Sequence, residues 1–96
     1  MGLFDSMKKS KEIKNKAEWK QGLNHTIVEL EKDHMKLLTA AGTDIIFYKD
    51  IVEVQQVNKI VNIRTTMRTH SLISKKSNES AQELQLELLQ KISDNN

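Results

Sequence analysis

The sequence predicts an α+β fold in which a strongly bent antiparallel sheet of five to six strands is capped by a C-terminal helix. Two patterns carry this prediction: apolar and polar residues alternate over residues 25–74, and apolar residues recur with helical spacing over residues 78–93. The length of 96 residues corresponds to one domain. A short helix is predicted ahead of the sheet, and the bent sheet is expected to form a partly open barrel.

The start of the chain, residues 1–22, is a basic segment that precedes a domain spanning residues 23–96. Leu3, Phe4 and Met7 have the spacing of one helix face, so a basic amphipathic helix is predicted here. Residues 1–23 contain six Lys and three acidic residues, a net charge of +3, whereas nine basic and ten acidic residues in the remainder give −1. Trp19, near the end of this segment, is expected to dock it onto the domain because an indole buries a large apolar area.

The strands are predicted in the middle of the chain, where β-branched and apolar residues alternate with polar ones. Residues 41–44 are predicted as a turn, and Asn58-Lys59 as a tight hairpin turn, since Asn tolerates the left-handed backbone that such turns require. The last strand is expected over residues 68–74. One of its faces is predicted to carry His70, Leu72 and Ser74.

The C-terminal helix is predicted over residues 78–93. Ser80 followed by Glu83 has the spacing of a capping box at its start. Leu84, Leu88 and Ile92 form a stripe at i, i+4 and i+8, which indicates one buried face.

The hydrophobic core is predicted from the apolar positions of both patterns. The short segment 45–48 has apolar residues on both faces, and Ile45 and Phe47 are predicted to point inward. The full set of expected core residues is Val28, Leu30, Leu37, Ile45, Phe47, Ile51, Val54, Val61, Ile63, Leu72, Leu84 and Leu88.

Residues 25–93 resemble a known family. The stretch 27–37 looks like an opening hairpin, and 45–48 followed at once by 49–54 looks like the "aromatic–x–Asp–Ile–x–x–Val" step at which a sheet bends. With 61–64, 70–73 and the C-terminal helix, these segments are similar to the bacterial pleckstrin-homology-like (PH-like) domains. That family usually has seven strands, whereas at most six are predicted here. The resemblance implies a binding scaffold, since this architecture serves proteins, peptides and lipid headgroups alike.

The residue types argue against catalysis and against a cofactor. There is no Cys, which excludes disulfides and thiolate chemistry. His25, His34 and His70 lack the spacing of a metal-binding helix, and Ser71 beside His70 does not make a catalytic pair by adjacency. With four aromatic residues in all and a net charge of +2, the sequence also argues against nucleic-acid binding.

The sequence therefore predicts a non-enzymatic interaction module, a small bacterial or phage protein that binds a protein partner or itself. The alternative is a peripheral membrane protein, attached at the inner face of the membrane through its N-terminus. A cytoplasmic location is expected in both cases, because no segment is apolar enough to serve as a span or a signal peptide. The residues predicted to contact a membrane or a partner are Leu3, Phe4, Met7, Lys8, Lys9 and Lys11.

A homo-oligomer is also expected, most simply a two-fold dimer. A chain of this size has a thin core, and a sheet short of closure leaves an edge available for pairing. Leu86 and Leu89 lie off the predicted buried stripe of the C-terminal helix, so they are the predicted oligomer contacts.

Overall fold

The computed structural model describes residues 19–96, which form an antiparallel sheet of seven strands and one C-terminal helix. The α+β prediction is confirmed, but the sheet has seven strands rather than five to six. In chain order the strands are β1 (Trp19–Gln21), β2 (Asn24–Leu30), β3 (His34–Thr39), β4 (Gly42–Phe47), β5 (Ile51–Val57), β6 (Ile60–Thr65) and β7 (Thr69–Ser74). A 3-10 turn, Tyr48–Asp50, joins β4 to β5, and the helix α1 spans Asn78–Asp94.

The additional strand is β1, which was predicted as the end of a helix. It lies at the centre of the strand order β4-β3-β2-β1-β7-β6-β5 and joins two hairpin meanders. Trp19 pairs with Thr26 of β2 and with Ser74 of β7, and its side chain is buried in the core. Trp19 is therefore buried as expected, but it lies in a strand of the sheet and not in a helix. The rest of the predicted N-terminal helix, residues 1–18, lies outside the described residues.

The sheet curls into a half-barrel, and its two edge strands, β4 and β5, are consecutive in the chain. Tight turns set the register of the hairpins. Asn58 has φ +54°, the left-handed conformation predicted for the β5–β6 turn. The β3–β4 turn is shorter than predicted, because Thr39 pairs directly with Gly42. Residues 42–44 therefore belong to β4.

The core occupies the concave side of the half-barrel. Most predicted core residues are buried there, but Ile45 and Phe47 point outward. Ile46 and Tyr48 take their place in the core. Because all four residues of this segment are apolar, hydrophobicity does not show whether residues 45 and 47 or residues 46 and 48 point inward. Tyr48 favours the observed phase because its hydroxyl donates a hydrogen bond of 2.7 Å to the Glu31 carbonyl oxygen while its ring is fully buried.

The helix α1 covers the core and packs on β5, β6 and β7. Its predicted stripe is confirmed, with Leu84 and Leu88 buried and Ile92 packed against the core. The capping residue is Ser77 rather than Ser80: the Ser77 hydroxyl accepts a hydrogen bond from the Ser80 backbone N–H. Among the described residues, no helix combines the length and apolar character that crossing a bilayer requires.

Candidate interaction surface

The residues predicted as contacts fall into two groups. Leu3, Phe4, Met7, Lys8, Lys9 and Lys11 lie outside the described residues. Leu86 and Leu89 lie three positions apart on α1, so they share a face, and they are 56% and 44% exposed. This face is available for contact.

A second set of apolar side chains lies on the convex side of the β2–β3–β4 meander, where Lys36 stands opposite Ile45, and it is called here the outer patch. The register places Ile27 opposite Leu38, and Leu38 opposite Thr43, so these side chains form one row across three strands. Ile45 and Phe47 occupy the same face of β4 and are 55% and 41% exposed. The outer patch consists of Ile27, Leu38, Ile45 and Phe47. It reaches the free edge of the sheet, where apolar side chains promote association with another chain.

Polar groups border the outer patch around Phe47. The His34 ring lies 5.7 Å from the Phe47 ring, centroid to centroid, at an interplanar angle of 53°. The Lys49 ammonium lies 6.0 Å from the same ring centroid. His34 Nδ1 is 2.6 Å from the Asp33 carboxylate, and this hydrogen bond lowers the pKa of the Asp33 carboxyl. An apolar centre with a charged rim is typical of a protein interface.

The free edge of β4 exposes backbone groups with no partner strand. The Tyr48 N–H donates to the Asp33 carbonyl oxygen at 3.1 Å, so Tyr48 points its backbone toward β3. Because this direction alternates along an antiparallel strand, Thr43, Ile45 and Phe47 direct their N–H and C=O groups away from β3. These are the same residues whose side chains lie on the convex face.

Part of the other edge strand, β5, is covered. The helix α1 packs along it, and the Gln85 side-chain amide donates a hydrogen bond of 3.2 Å to the Val54 carbonyl oxygen. Covering an edge with a helix prevents pairing with a further strand. Within residues 19–96, β4 is therefore the sheet edge that is open to another chain.

A cleft of about 170 Å³ separates β4 from the β6–β7 turn. Residues 44–47 form one wall, and residues 65–68 form the other. The Thr66 N–H donates to the Asp50 carbonyl oxygen at 3.2 Å and holds the turn against the β4–β5 corner. His70 lies at the bottom and is 8% exposed, and its burial lowers its pKa. Asp44 and Arg68 bring opposite charges to the two walls.

The neighbouring residues His70 and Ser71 point to opposite sides of the sheet. His70 points into the concave side, whereas Ser71 points outward and donates a hydrogen bond of 2.6 Å to the Asn62 side chain. Within residues 19–96, no three His, Asp or Glu side chains are grouped as metal ligands. What the β4 region offers instead is a row of backbone hydrogen-bonding groups beside exposed apolar side chains.

No protein-family model matches this chain, and no curated protein sequence is similar enough to it to count as a relative.

The β4 surface is the functional candidate that sequence reasoning missed. Ile45 and Phe47 were predicted as core because the segment 45–48 is apolar at every position. Since all four residues are apolar, hydrophobicity alone does not show which two of them point inward. The pairing partners and the edge position of β4 come from contacts distant in sequence, and no local pattern reports them.

Proposed function

We propose that this protein is a PH-like, non-enzymatic interaction module that binds a protein chain through β4 and the outer patch. The strand order supports the PH-like assignment: two antiparallel meanders are joined through β1 and followed by a helix. Seven strands is the number usual for that family, and the segments that resemble it lie in β2–β7 and α1.

The observation that carries the binding proposal is that Ile45 and Phe47 combine free backbone groups at the edge of β4 with exposed apolar side chains. An extended chain added to such an edge gains main-chain hydrogen bonds, and the side chains on alternate positions provide specificity. Ile45 and Phe47 contribute the apolar surface, and the groups around Phe47 contribute the polar rim.

Site-specific photocrosslinking tests this proposal. A benzoylphenylalanine placed at position 47 is expected to capture a protein as a discrete adduct when the protein is irradiated in cells. The same probe at position 57 is the matched control, because Val57 is 56% exposed on the other edge strand. An adduct at position 47 and none at position 57 is the expected result. Equal labelling at both positions, or no adduct at position 47, would contradict the proposal.

The charge distribution favours a second candidate function, attachment to an anionic membrane surface through residues 1–16. The net charge of +3 in residues 1–23 and the apolar Leu3, Phe4 and Met7 are the motivating features. Full-length protein is then expected to sediment with anionic vesicles at low salt and to be released as salt is raised. A variant lacking residues 1–16 should stay in the supernatant. Full-length protein that remains in the supernatant at low salt would exclude this function.

A further inference from the structure

We propose that the cleft between β4 and the β6–β7 turn binds a small organic cation whose positive group carries N–H donors, an ammonium or a guanidinium. The cation lies between the carboxylates of Asp44 and Asp50, above the buried ring of His70. This inference goes beyond the proposed binding of a protein chain, and either of the two can hold without the other.

His70 lies at the bottom of the cleft with polar atoms that have no partner in the protein. It is 8% exposed, and its ring makes no hydrogen bond within residues 19–96. Since no fully buried side-chain nitrogen of these residues lacks a partner, the ring nitrogens open on the cleft that His70 lines. Buried polar side chains nearly always have a hydrogen-bond partner, so this ring calls for one that enters from the cleft. Burial lowers the pKa of His70, and a neutral imidazole has one nitrogen that accepts a hydrogen bond.

The charged groups that line the cleft leave one negative charge unbalanced. Asp44 and Asp50 contribute two carboxylates, and Arg68 contributes one guanidinium. None of these three side chains takes part in an ion pair or a hydrogen bond within residues 19–96. A cleft with an excess of one charge attracts a ligand of the opposite charge, so a ligand with a single positive charge suits this one.

The backbone of the β6–β7 turn argues against an anion. An anion site needs free N–H groups, but those of residues 65–68 are all bonded within the protein. The Thr65 N–H donates to the Arg68 carbonyl oxygen at 2.8 Å, and the Thr66 N–H donates to the Asp50 carbonyl oxygen at 3.2 Å. The Met67 and Arg68 N–H groups both donate to the Thr65 hydroxyl oxygen at 3.1 Å. The turn therefore leaves the cleft rich in acceptors and poor in donors.

The cleft does not suit a metal ion or a large cofactor either. Within residues 19–96, no three His, Asp or Glu side chains are grouped as metal ligands. The volume of about 170 Å³ is below the roughly 300–1,000 Å³ of the pockets that hold drug-sized ligands. An ammonium or a guanidinium has several N–H donors that point in different directions. Two carboxylates and an imidazole on separate elements can accept from such a group.

A titration followed by nuclear magnetic resonance tests the site on the full-length protein. The probes are methylguanidinium chloride and ethylammonium chloride, with sodium acetate as the anionic control and sodium chloride at equal ionic strength as the blank. Both cations are expected to shift the amide signals of residues 44–47 and 65–70 saturably, with half-saturation on the order of 1 mM for so small a ligand. Acetate should give no saturable shift. The proposal is overturned if neither cation saturates these signals, or if acetate does so instead.

Substitutions of the charged residues separate a cation site from a general effect of net charge. Asp44→Asn and Asp50→Asn should each weaken the binding of methylguanidinium about two- to fivefold. Asp94→Asn, which makes the same charge change at the end of α1, should not. Arg68→Ala removes the opposing charge and should strengthen binding, whereas Arg64→Ala, whose guanidinium is already paired with a carboxylate, is its control. Weaker binding after Arg68→Ala, or equal effects of the three Asp substitutions, would contradict a cation site.

The ionisation of His70 reports on the contact at the bottom of the cleft. A bound cation and an imidazolium are like charges, so saturation with methylguanidinium should lower the pKa of His70 further. The affinity should accordingly fall as the pH drops and His70, surrounded by Asp44, Asp50 and Arg68, takes up a proton. The ring signals of His25, exposed on β2, are the internal control and should not respond to the ligand. An unchanged pKa of His70 at saturation would show that the cation does not reach the ring and would overturn the proposal.

A free molecule and a Lys or Arg side chain of a bound protein present the same cation. The crosslinking probe at position 47 distinguishes them: Asp44→Asn should lower the yield of adduct if the cation belongs to the captured protein, and should leave it unchanged if the cation is a free molecule. Binding of methylguanidinium without any adduct would overturn the proposed function and leave the cleft site standing. An adduct without cation binding would do the reverse. The fluorescence of Trp19, whose side chain is buried in the core, confirms that each variant is folded.

Discussion

Tyr48 holds the corner at which the half-barrel turns from one edge strand to the other. Its ring is fully buried in the core, and its hydroxyl bonds to the Glu31 carbonyl oxygen at the end of β2. Burial raises the pKa of the Tyr48 phenol to about 12. The folded state thus favours the neutral phenol. The contribution of the neutral Tyr48 phenol to the free energy of unfolding is therefore complete below pH 10 and is lost as the pH rises through 12.

Ultraviolet titration measures this ionisation alone, since the chain has a single Tyr. The phenolate absorbance is expected to rise near pH 12 in the folded protein and near pH 10 in denaturant. Tyr48→Phe removes the hydrogen bond and should lower the free energy of unfolding by about 1 kcal/mol. A native titration centred near pH 10 would show that the hydroxyl is not buried.

His70 predicts a second pH dependence, at the acid end. Its burial among core residues lowers its pKa, while Asp44 opposes this shift and Arg68 adds to it. The unfolded chain therefore binds a proton more readily, so the stability associated with neutral His70 is present above about pH 6.5 and falls as the pH drops below that value.

Denaturant melts at a series of pH values test this expectation. Wild-type stability should decline from pH 7 to pH 5, and His70→Gln, which cannot be protonated, should decline less. His25→Gln is the matched control, since His25 is exposed on β2. Parallel profiles for wild type and His70→Gln would rule out His70 as the source of the pH dependence.

At the scale of elements, α1 stabilises the sheet through one face and leaves the other exposed. Leu88 is fully buried, whereas Leu86 lies two positions away and is 56% exposed. Leu88→Ala should lower the free energy of unfolding by about 2–4 kcal/mol, the range for a leucine whose removal leaves a cavity. Leu86→Ala should change it by less than about 0.5 kcal/mol. Denaturant melts that gave equal losses would mean that α1 covers the core in another orientation.

Substitutions on the exposed face of α1 also show whether a second copy or the N-terminal segment contacts this face. If Leu86 contacts a second copy, Leu86→Lys should stay folded and change the mass in solution. If instead it contacts the N-terminal segment of its own chain, the melting temperature should fall and the mass should not change. Leu89, 44% exposed on the same face, should respond like Leu86 in either case.

For the whole molecule, β1 is the link between the two meanders. It contributes only Trp19–Gln21, yet it pairs with β2 on one side and with β7 on the other. Its buried indole belongs to the same core as Leu72 and Leu88. Since one core spans both meanders, the domain is expected to unfold in a single cooperative transition.

Two spectroscopic probes test that cooperativity. Trp19 fluorescence reports on β1, and far-ultraviolet circular dichroism is dominated by α1. The two denaturation curves should coincide in midpoint and slope. If the fluorescence changed before the dichroism, β1 would separate from a sheet that remains folded, and the two meanders would not depend on it.

The sequence by itself determined the fold class and the best-patterned elements. The Leu84, Leu88 and Ile92 stripe identified α1, because helical periodicity over many residues is a local signal. The turn at Asn58 could be predicted because few residue types tolerate a left-handed backbone. The faces of β7 followed from simple alternation: His70, Leu72 and Ser74 were predicted to share one face, and all three are buried.

Only the tertiary structure decided the strand count, the phase of β4 and the location of the free edge. A strand of three residues such as β1 has no periodicity of its own and exists because Thr26 and Ser74 pair with Trp19. Hydrophobicity could not choose between Ile45 and Ile46, and the choice follows from the distant contact of Tyr48 with Glu31. The location of the candidate site could not be predicted from the sequence for the same reason. The edge of β4 is open because α1 covers β5 instead, and which edge a helix covers depends on how the whole sheet curls.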